Sequence, residues 1–271
     1  MILTIEHHTR YQYQGEVRRS TQYLRLTPPS TPHQRVLNWE LQLPETATCT
    51  VDGYGNILHV LTLAQPHEEI EILARGEVEI LDDEAAEAET LSPLIFLRHT
   101  PLTRADQAIR DFALTFTSQP TTARQLEAMM RALLLRMPYS PGATSSQHTA
   151  AEAFALGKGV CQDHTHVYLA CCRTLGLPAR YVSGYLYTQD SQHVATHAWA
   201  EVWYDNGWHT VDVTNQCTTP HQHLRLAVGM DYLDACPVRG VRTGGGDEAM
   251  QAHAAVSLTT EQQQQQQQQQ Q

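Results

Sequence analysis

The sequence contains no clustered run of lysine and arginine, and its 18 basic residues against 29 acidic ones give a formal net charge of −11. That balance speaks against a surface built for nucleic acid or for an anionic membrane. No apolar run approaches the roughly 20 residues that a membrane-spanning helix needs, so no membrane partner is expected. The opening stretch, MILTIEHHTRYQYQG, lacks the basic end, long apolar centre and small-residue cleavage site of a secretory signal. It reads as a strand, and the expected location is the cytoplasm. Cysteine is sparse: Cys49, Cys161, Cys171, Cys172, Cys217 and Cys236 form no CxxC pair. This gives no support to a thioredoxin-like motif, a zinc ribbon or a disulfide framework. The glycine run Gly244-Gly245-Gly246 lacks the following helix and lysine of a phosphate loop, and no cofactor is implied.

What the chain does contain is organised around one stretch, Gly157 to Gly184, GKGVCQDHTHVYLACCRTLGLPARYVSG. Val160, Val167, Leu169, Ala170, Cys171 and Leu175 recur with roughly helical period. Gly176 stands where a helix ends, and Pro178 follows where it cannot continue. Cys161 therefore falls in the first turn, where unpaired backbone N–H groups and the helix dipole favour an anion. That is the setting in which a thiol becomes a nucleophile. Downstream, THAWAEVWY and GWHTVDVT read as two strands joined by Asp205-Asn206-Gly207, and Asn-Gly between apolar runs is a strong hairpin signal. The hairpin carries His197 on one strand and Asp212 on the next. A thiol nucleophile needs a base, and the base needs a group that fixes its tautomer. Cys161, His197 and Asp212 supply these in order.

The blocks GVCQDHTH, LGLPARYVSGY, THAWAEVWY and GWHTVDVTN closely resemble the core domain of bacterial transglutaminase-like proteins. The resemblance runs from about Ser92 to near Val256, and the N-terminal segment resembles the β-sandwich that often precedes such cores. It implies an α+β chain: an N-terminal β-sandwich, then a papain-like core with the nucleophile helix packed on an antiparallel sheet. It also implies a Cys161-His197-Asp212 triad. Two departures stand out: His164 replaces a commonly apolar or aromatic residue, and Met230 stands where an arginine is common. Asp231 and Asp234 fall at typical positions, and His166 matches a usual histidine with a packing or hydrogen-bonding role.

The chain divides into a β unit over 1–81, an acidic linker over 82–91, a core over 92–260 and a glutamine-rich tail over 261–271, expected to be disordered. In the β unit, strands are expected in MILTIEHHTRYQY, VRRSTQYLRLTP, RVLNWELQLP, on both sides of Asp52–Asn56, and in EEIEILARGEVEIL, with a turn at Gln14-Gly15-Glu16. Its role is either to position substrate or to serve as a platform. Further on, Ser92 weakly caps LIFLRHT, Thr103 caps RADQAIRDFALTF, Thr121 or Thr122 starts ARQLEAMMRALLLRM, and Thr149 caps AAEAFALG. The polar loop from Ala143 to His148 is placed beside the site. Leu224 to Val228 and Gln251 to Leu258 read as strands.

Several residues stay open on sequence alone. His164 with His166, and His221 with His223, form H-x-H pairs, but on a helix such rings point to different faces and no cysteine pair accompanies them; no metal is expected. His193 and His209 read as surface or satisfied core histidines, and Cys171 and Cys172 as inert packing. Trp199 and Trp203 either wall the site or fill the core, and the partner of Arg180 is not readable. The backbone N–H of Cys161 is the expected oxyanion donor, with Gln162 as a second contributor or a supporting residue.

The triad implies attack of the Cys161 thiolate on an amide of a peptide or protein, with proton transfer through His197, and a thioester acyl-enzyme. Water would then make the protein a protease, amidase or deamidase, and an amine would make it a transamidase. A different class of answer is a catalytically silent scaffold of the same fold that binds a protein partner.

Overall fold

The computed structural model describes residues 1–81, 91–118, 121–188, 196–220 and 222–259. Most of the acidic linker, His193, His221 and the glutamine tail lie outside the described residues.

The N-terminal strands are β1 (Ile2–Leu24), β2 (Gln34–Gln42), β3 (Thr48–Val51), β4 (Ile57–Leu63) and β5 (His67–Ile80). Alternation of buried and exposed residues along β1 and β5 is the pattern of strands with one face on a core. β1 organises them. Its first half, Ile2–Gln12, pairs with β5, and its second half, Ser20–Leu24, pairs with β4. The turn expected at Gln14-Gly15-Glu16 is not a reversal. The strand runs through it with a register shift, because the backbone there is paired: Gln14 N–H donates to Asp247 O and Gly15 N–H to Gly245 O. Both halves contribute to one apolar core that includes Leu3, Ile5, Val17, Leu24, Leu61 and Ile72.

The helical region follows with a 3-10 turn at Pro93–Leu97, α1 (Gln107–Leu114), α2 (Thr122–Arg136), α3 (Ala150–Leu156) and α4 (Cys161–Thr174). Thr121 caps α2, and Thr149 with Glu152 forms a capping box on α3, as their residue types dictate. Ser92 makes no side-chain cap. Thr103 does not cap α1 either. Asp106 does, accepting from Ile109 N–H at 2.8 Å, while Thr103 is buried and accepts from Arg173 at 2.6 Å.

A second sheet, antiparallel throughout, has the order β8-β7-β6-β9, with β6 at Ala179–Leu186, β7 at His197–Tyr204, β8 at Gly207–Val211 and β9 at His223–Gly229. The hairpin turn holds Asp205 and Asn206 at φ 48° and 60°, the left-handed pair that a two-residue loop of this kind requires. Ala198, Ala200 and Val202 of β7 join Val167, Leu169 and Ala170 of α4 in a second core. After a short helix α5 (Tyr232–Ala235), β10 (Val238–Gly244) and β11 (Glu248–Leu258) leave the core and pair with β1. The N-terminal sheet thus takes strands from both sides of the expected core, and Tyr185, Leu224 and Leu226 of the second sheet pack into its apolar interior.

Candidate active site

Cys161 is the first residue of α4, half-buried and free. The helix start is built by Asp163, whose Oδ2 accepts from Val160 N–H at 2.8 Å and from Thr144 Oγ1–H at 2.6 Å. Gly159 makes this possible, since a Cβ there would sit 2.7 Å from both Cβ and Oδ2 of Asp163. The polar loop is tied to the same end: Gln162 Nε2 donates to Ser146 O at 3.0 Å, which gives Gln162 an anchoring contact. The first N–H groups of an α-helix have no intrahelical acceptor, so the Cys161 amide is a donor available to an oxyanion.

The structure brings together all three predicted residues. His197 opens β7, and its imidazole interacts with the Cys161 side chain. On its other side, His197 Nε2 lies 2.7 Å from Asp212 Oδ2. Asp212 follows β8, fully buried, and is locked in place by paired backbone bonds with Cys217 at 2.8 and 3.0 Å. Burial alone would make the His197 cation unfavourable. Its interactions with Asp212 and Cys161, and the charges behind them, outweigh burial and push its pKa up to about 10. Burial likewise works against the Asp212 carboxylate, but the donors His197 and His223 hold its pKa well below the usual carboxylate range.

Two further residues complete the cluster and were not expected there. Asn215 Nδ2 donates to Asp212 Oδ2 at 2.7 Å, and His223 Nε2 lies 2.9 Å from the same oxygen. His223 and His197 stand on strands that flank β6, opposite Leu186 and Gly184 respectively. Trp199 packs on both rings, stacked on His197 at 6.0 Å and edge-on to His223 at 4.8 Å, so it walls the cluster. Trp203 instead packs against Trp208 at 5.5 Å. The signals were present in part: Asn215 closes the block GWHTVDVTN, and His223 was one half of an H-x-H pair. The ligand atoms of His197, Asp212 and His223 lie within 4.8 Å of one another, close enough to share a metal ion.

The remaining candidates are accounted for by their contacts. His164 is held between Thr214 Oγ1 at 2.9 Å and Met137 O at 2.8 Å, and burial lowers its pKa. His166 Nε2 accepts from Tyr232 N–H at 3.1 Å, with its pKa lowered to about 3 by burial. Burial pushes the thiols of Cys171 and Cys172 up. Arg180 pairs with Glu201 directly across from it on β7, at 2.6 Å, and lies over Trp208 at 4.2 Å. A cavity of about 510 Å³ borders Trp199 and His223, with Arg180, Glu201, Trp208 and Arg225 also in its wall. Cys161 and His197 are not among its lining residues. The chemistry is therefore placed by the side-chain cluster and not by this cavity.

Residues 110–213 match the model of the Transglutaminase-like superfamily, and residues 3–79 match that of the bacterial transglutaminase-like N-terminal region. Among curated relatives, the uncharacterized protein ML0607 of Mycobacterium leprae is 28% identical, over 90% of this chain and 94% of its own length. The uncharacterized protein Rv2569c of Mycobacterium tuberculosis is also 28% identical, over 88% of this chain and 86% of its own. A solved structure described as a "Putative Cysteine Protease from Cytophaga hutchinsonii" superimposes with a TM-score of 0.78 at 21% identity, over 96% of this chain and 91% of that one. At that identity the likeness speaks for the fold. With the two matched regions in this order over more than half of its length, the chain belongs to the transglutaminase-like superfamily, its core preceded by the bacterial N-terminal region.

Proposed function

We propose that this protein is a thiol acyl-transfer enzyme acting on amide bonds of peptides or proteins through a Cys161-His197-Asp212 triad. The observation that carries the reading is the convergence of the three side chains, with Cys161 at a helix start, His197 interacting with it, and a buried carboxylate 2.7 Å behind the imidazole. In this reading the Cys161 sulfur attacks the amide carbonyl, the C–S bond forms, and the Cys161 N–H stabilises the oxyanion. His197 passes its proton to the departing amine as the C–N bond breaks, leaving a thioester. Asp212 keeps the imidazole in the tautomer that serves the sulfur. Water or a second amine then takes the acyl group, giving hydrolysis or transamidation.

The test is to incubate the protein with a mixed peptide library and hydroxylamine, a nucleophile that intercepts thioesters as hydroxamates. Hydroxamate formation that disappears in Cys161→Ala supports the reading. If no hydroxamate forms and Cys161 is alkylated no faster than the exposed Cys49, the protein-binding scaffold of the same fold takes its place.

A further inference from the structure

Two histidines and one carboxylate meeting at a point are more than a His–Asp pair needs. His197 Nε2 at 2.7 Å and His223 Nε2 at 2.9 Å both address Asp212 Oδ2. The side chains are 10%, 2% and 0% exposed in that order. We propose that these three residues form a binding site for a borderline divalent cation, Zn²⁺ above all, and that the cation and the active thiol–imidazole pair exclude each other.

The donor set selects the metal class. Two imidazole nitrogens with one carboxylate oxygen suit Zn²⁺ and its neighbours, whereas Ca²⁺ and Mg²⁺ demand mainly oxygen ligands. Bonds of about 2.0–2.2 Å to Zn²⁺ call for ligand atoms a little over 3 Å apart in a tetrahedron. The two nitrogen–oxygen distances therefore need to open by about half an ångström, while the two nitrogens, within 4.8 Å of each other, need to draw together. The ligands stand at the start of β7, just after β8 and at the start of β9, so one sheet presets them.

Proton bookkeeping also permits it. Each neutral imidazole offers its Nε2 lone pair when its single proton sits on Nδ1. For His197 the nitrogen left to face Cys161 is Nδ1, because Nε2 is on Asp212. For His223, Nδ1 is buried and has no hydrogen-bond partner among the described residues, so moving the proton there sacrifices no other bond. At His223 the metal bond replaces the hydrogen bond to Asp212, and at His197 it replaces that bond and the 3.2 Å contact with Asn215 Nδ2. A bound cation fixes His197 as the Nδ1–H tautomer and takes the charge of Asp212, so His197 can no longer accept the Cys161 proton. This inhibitory consequence rests on the proposed function; the site itself does not.

The experiment is a titration of the reduced, chelator-stripped full chain with ZnCl2 at fixed neutral pH, followed by calorimetry. One ion per chain is expected, with a dissociation constant of about 1 μM or tighter, corresponding to about −8 kcal/mol. His223→Gln should weaken binding at least about tenfold, and Cys161→Ala, which removes the competing thiol, should not weaken it. Cobalt(II) in the wild type decides the matter if His223→Gln fails to fold. Two exchangeable, hyperfine-shifted ring N–H signals are expected, one per histidine ligand, with no sulfur-to-metal charge-transfer band. Absence of saturable Zn²⁺ binding overturns the proposal, as does binding that Cys161→Ala abolishes or that His223→Gln leaves unchanged. A positive titration alongside a failed hydroxamate test would keep the cation site and remove the enzyme.

Discussion

Replacing His197 by alanine should change how the reactivity of Cys161 depends on pH, and the size of the change follows from the geometry. A lone thiol below its pKa gains thiolate about tenfold per pH unit, so its alkylation rate rises about 100-fold between pH 5.5 and 7.5. The proposed mechanism has His197 take the thiol's proton, and Asp212 and Cys161 overcome burial to hold the His197 cation up to about 10. The reactive form is then the same across that interval, and the rate should change by less than about twofold. The assay is iodoacetamide alkylation in the presence of a chelator, read by peptide mass spectrometry, with exposed Cys49 as the reference and buried Cys171 and Cys172 as silent controls. His197→Ala should restore the steep rise. The variant should still fold, because Asp212 keeps its contacts with His223 and Asn215 at 2.9 and 2.7 Å. A steep rise already present in the wild type would refute the ion-pair reasoning.

Three further outcomes are expected. Thermal stability should peak near pH 6.5. The raised pKa of His197, about 10 when folded, makes its contribution complete below the unfolded value of 6.5 and loses it as pH climbs toward 10. The lowered values of His7 and His166, about 4 and about 3, make theirs complete above 6.5 and lose them on acidification. A melting curve that rises steadily through pH 8 would contradict this. Arg173→Met removes a buried guanidinium that donates to Phe96 O, Thr103 Oγ1, Ala179 O and Met230 O. Leaving such acceptors unpaired should cost roughly 4 kcal/mol or more, a fall of about 10 °C in Tm or worse, and a shift under about 2 °C would show that water replaces the donors. In Gly184→Ala the new Cβ meets Leu224 O and comes within 2.7 Å of Trp199 Cη2. Such overpacking costs about 1–3 kcal/mol, and because Trp199 lies on both His197 and His223, hydroxamate formation should fall further than stability explains; equal losses would mean that Trp199 only fills space.

Much of the site was legible because its signals are local. A cysteine after Gly-Lys-Gly-Val, a helix closed by Gly176 and Pro178, and an Asn-Gly hairpin are short-range features that determine α4, β7 and β8. What escaped depends on cross-strand neighbours. The partner of Arg180 is Glu201 because β6 and β7 pair in one register, and His223 reaches Asp212 because β9 lies beside β6. Thr103 has the chemistry of a helix cap, yet the buried Arg173 claims it and Asp106 takes the cap. Gln14-Gly15-Glu16 has the composition of a turn, yet the connection between β10 and β11, more than 200 residues away, pairs with it and keeps it extended. β10, VRGVRTG, is mostly exposed and carries no apolar alternation, so nothing in its own sequence announced it.

The pairing of β1 with β10 and β11 has a consequence for the order of assembly. Leu3 meets Leu258 and Leu24 meets Val238, so one edge of the long first strand waits along its length for partners synthesised only after the whole helical region and second sheet. Until they arrive, β1 offers an open edge to any other extended chain. The loop that must close to cover it contains α4, β7 and β8, and contacts of such sequence separation form slowly. The helix and hairpin that carry Cys161, His197 and Asp212 are nearly local by comparison. Stages of folding in which those residues have met while β1 is still uncovered are thus built into the topology, and they are the stages at which chains would adhere to one another.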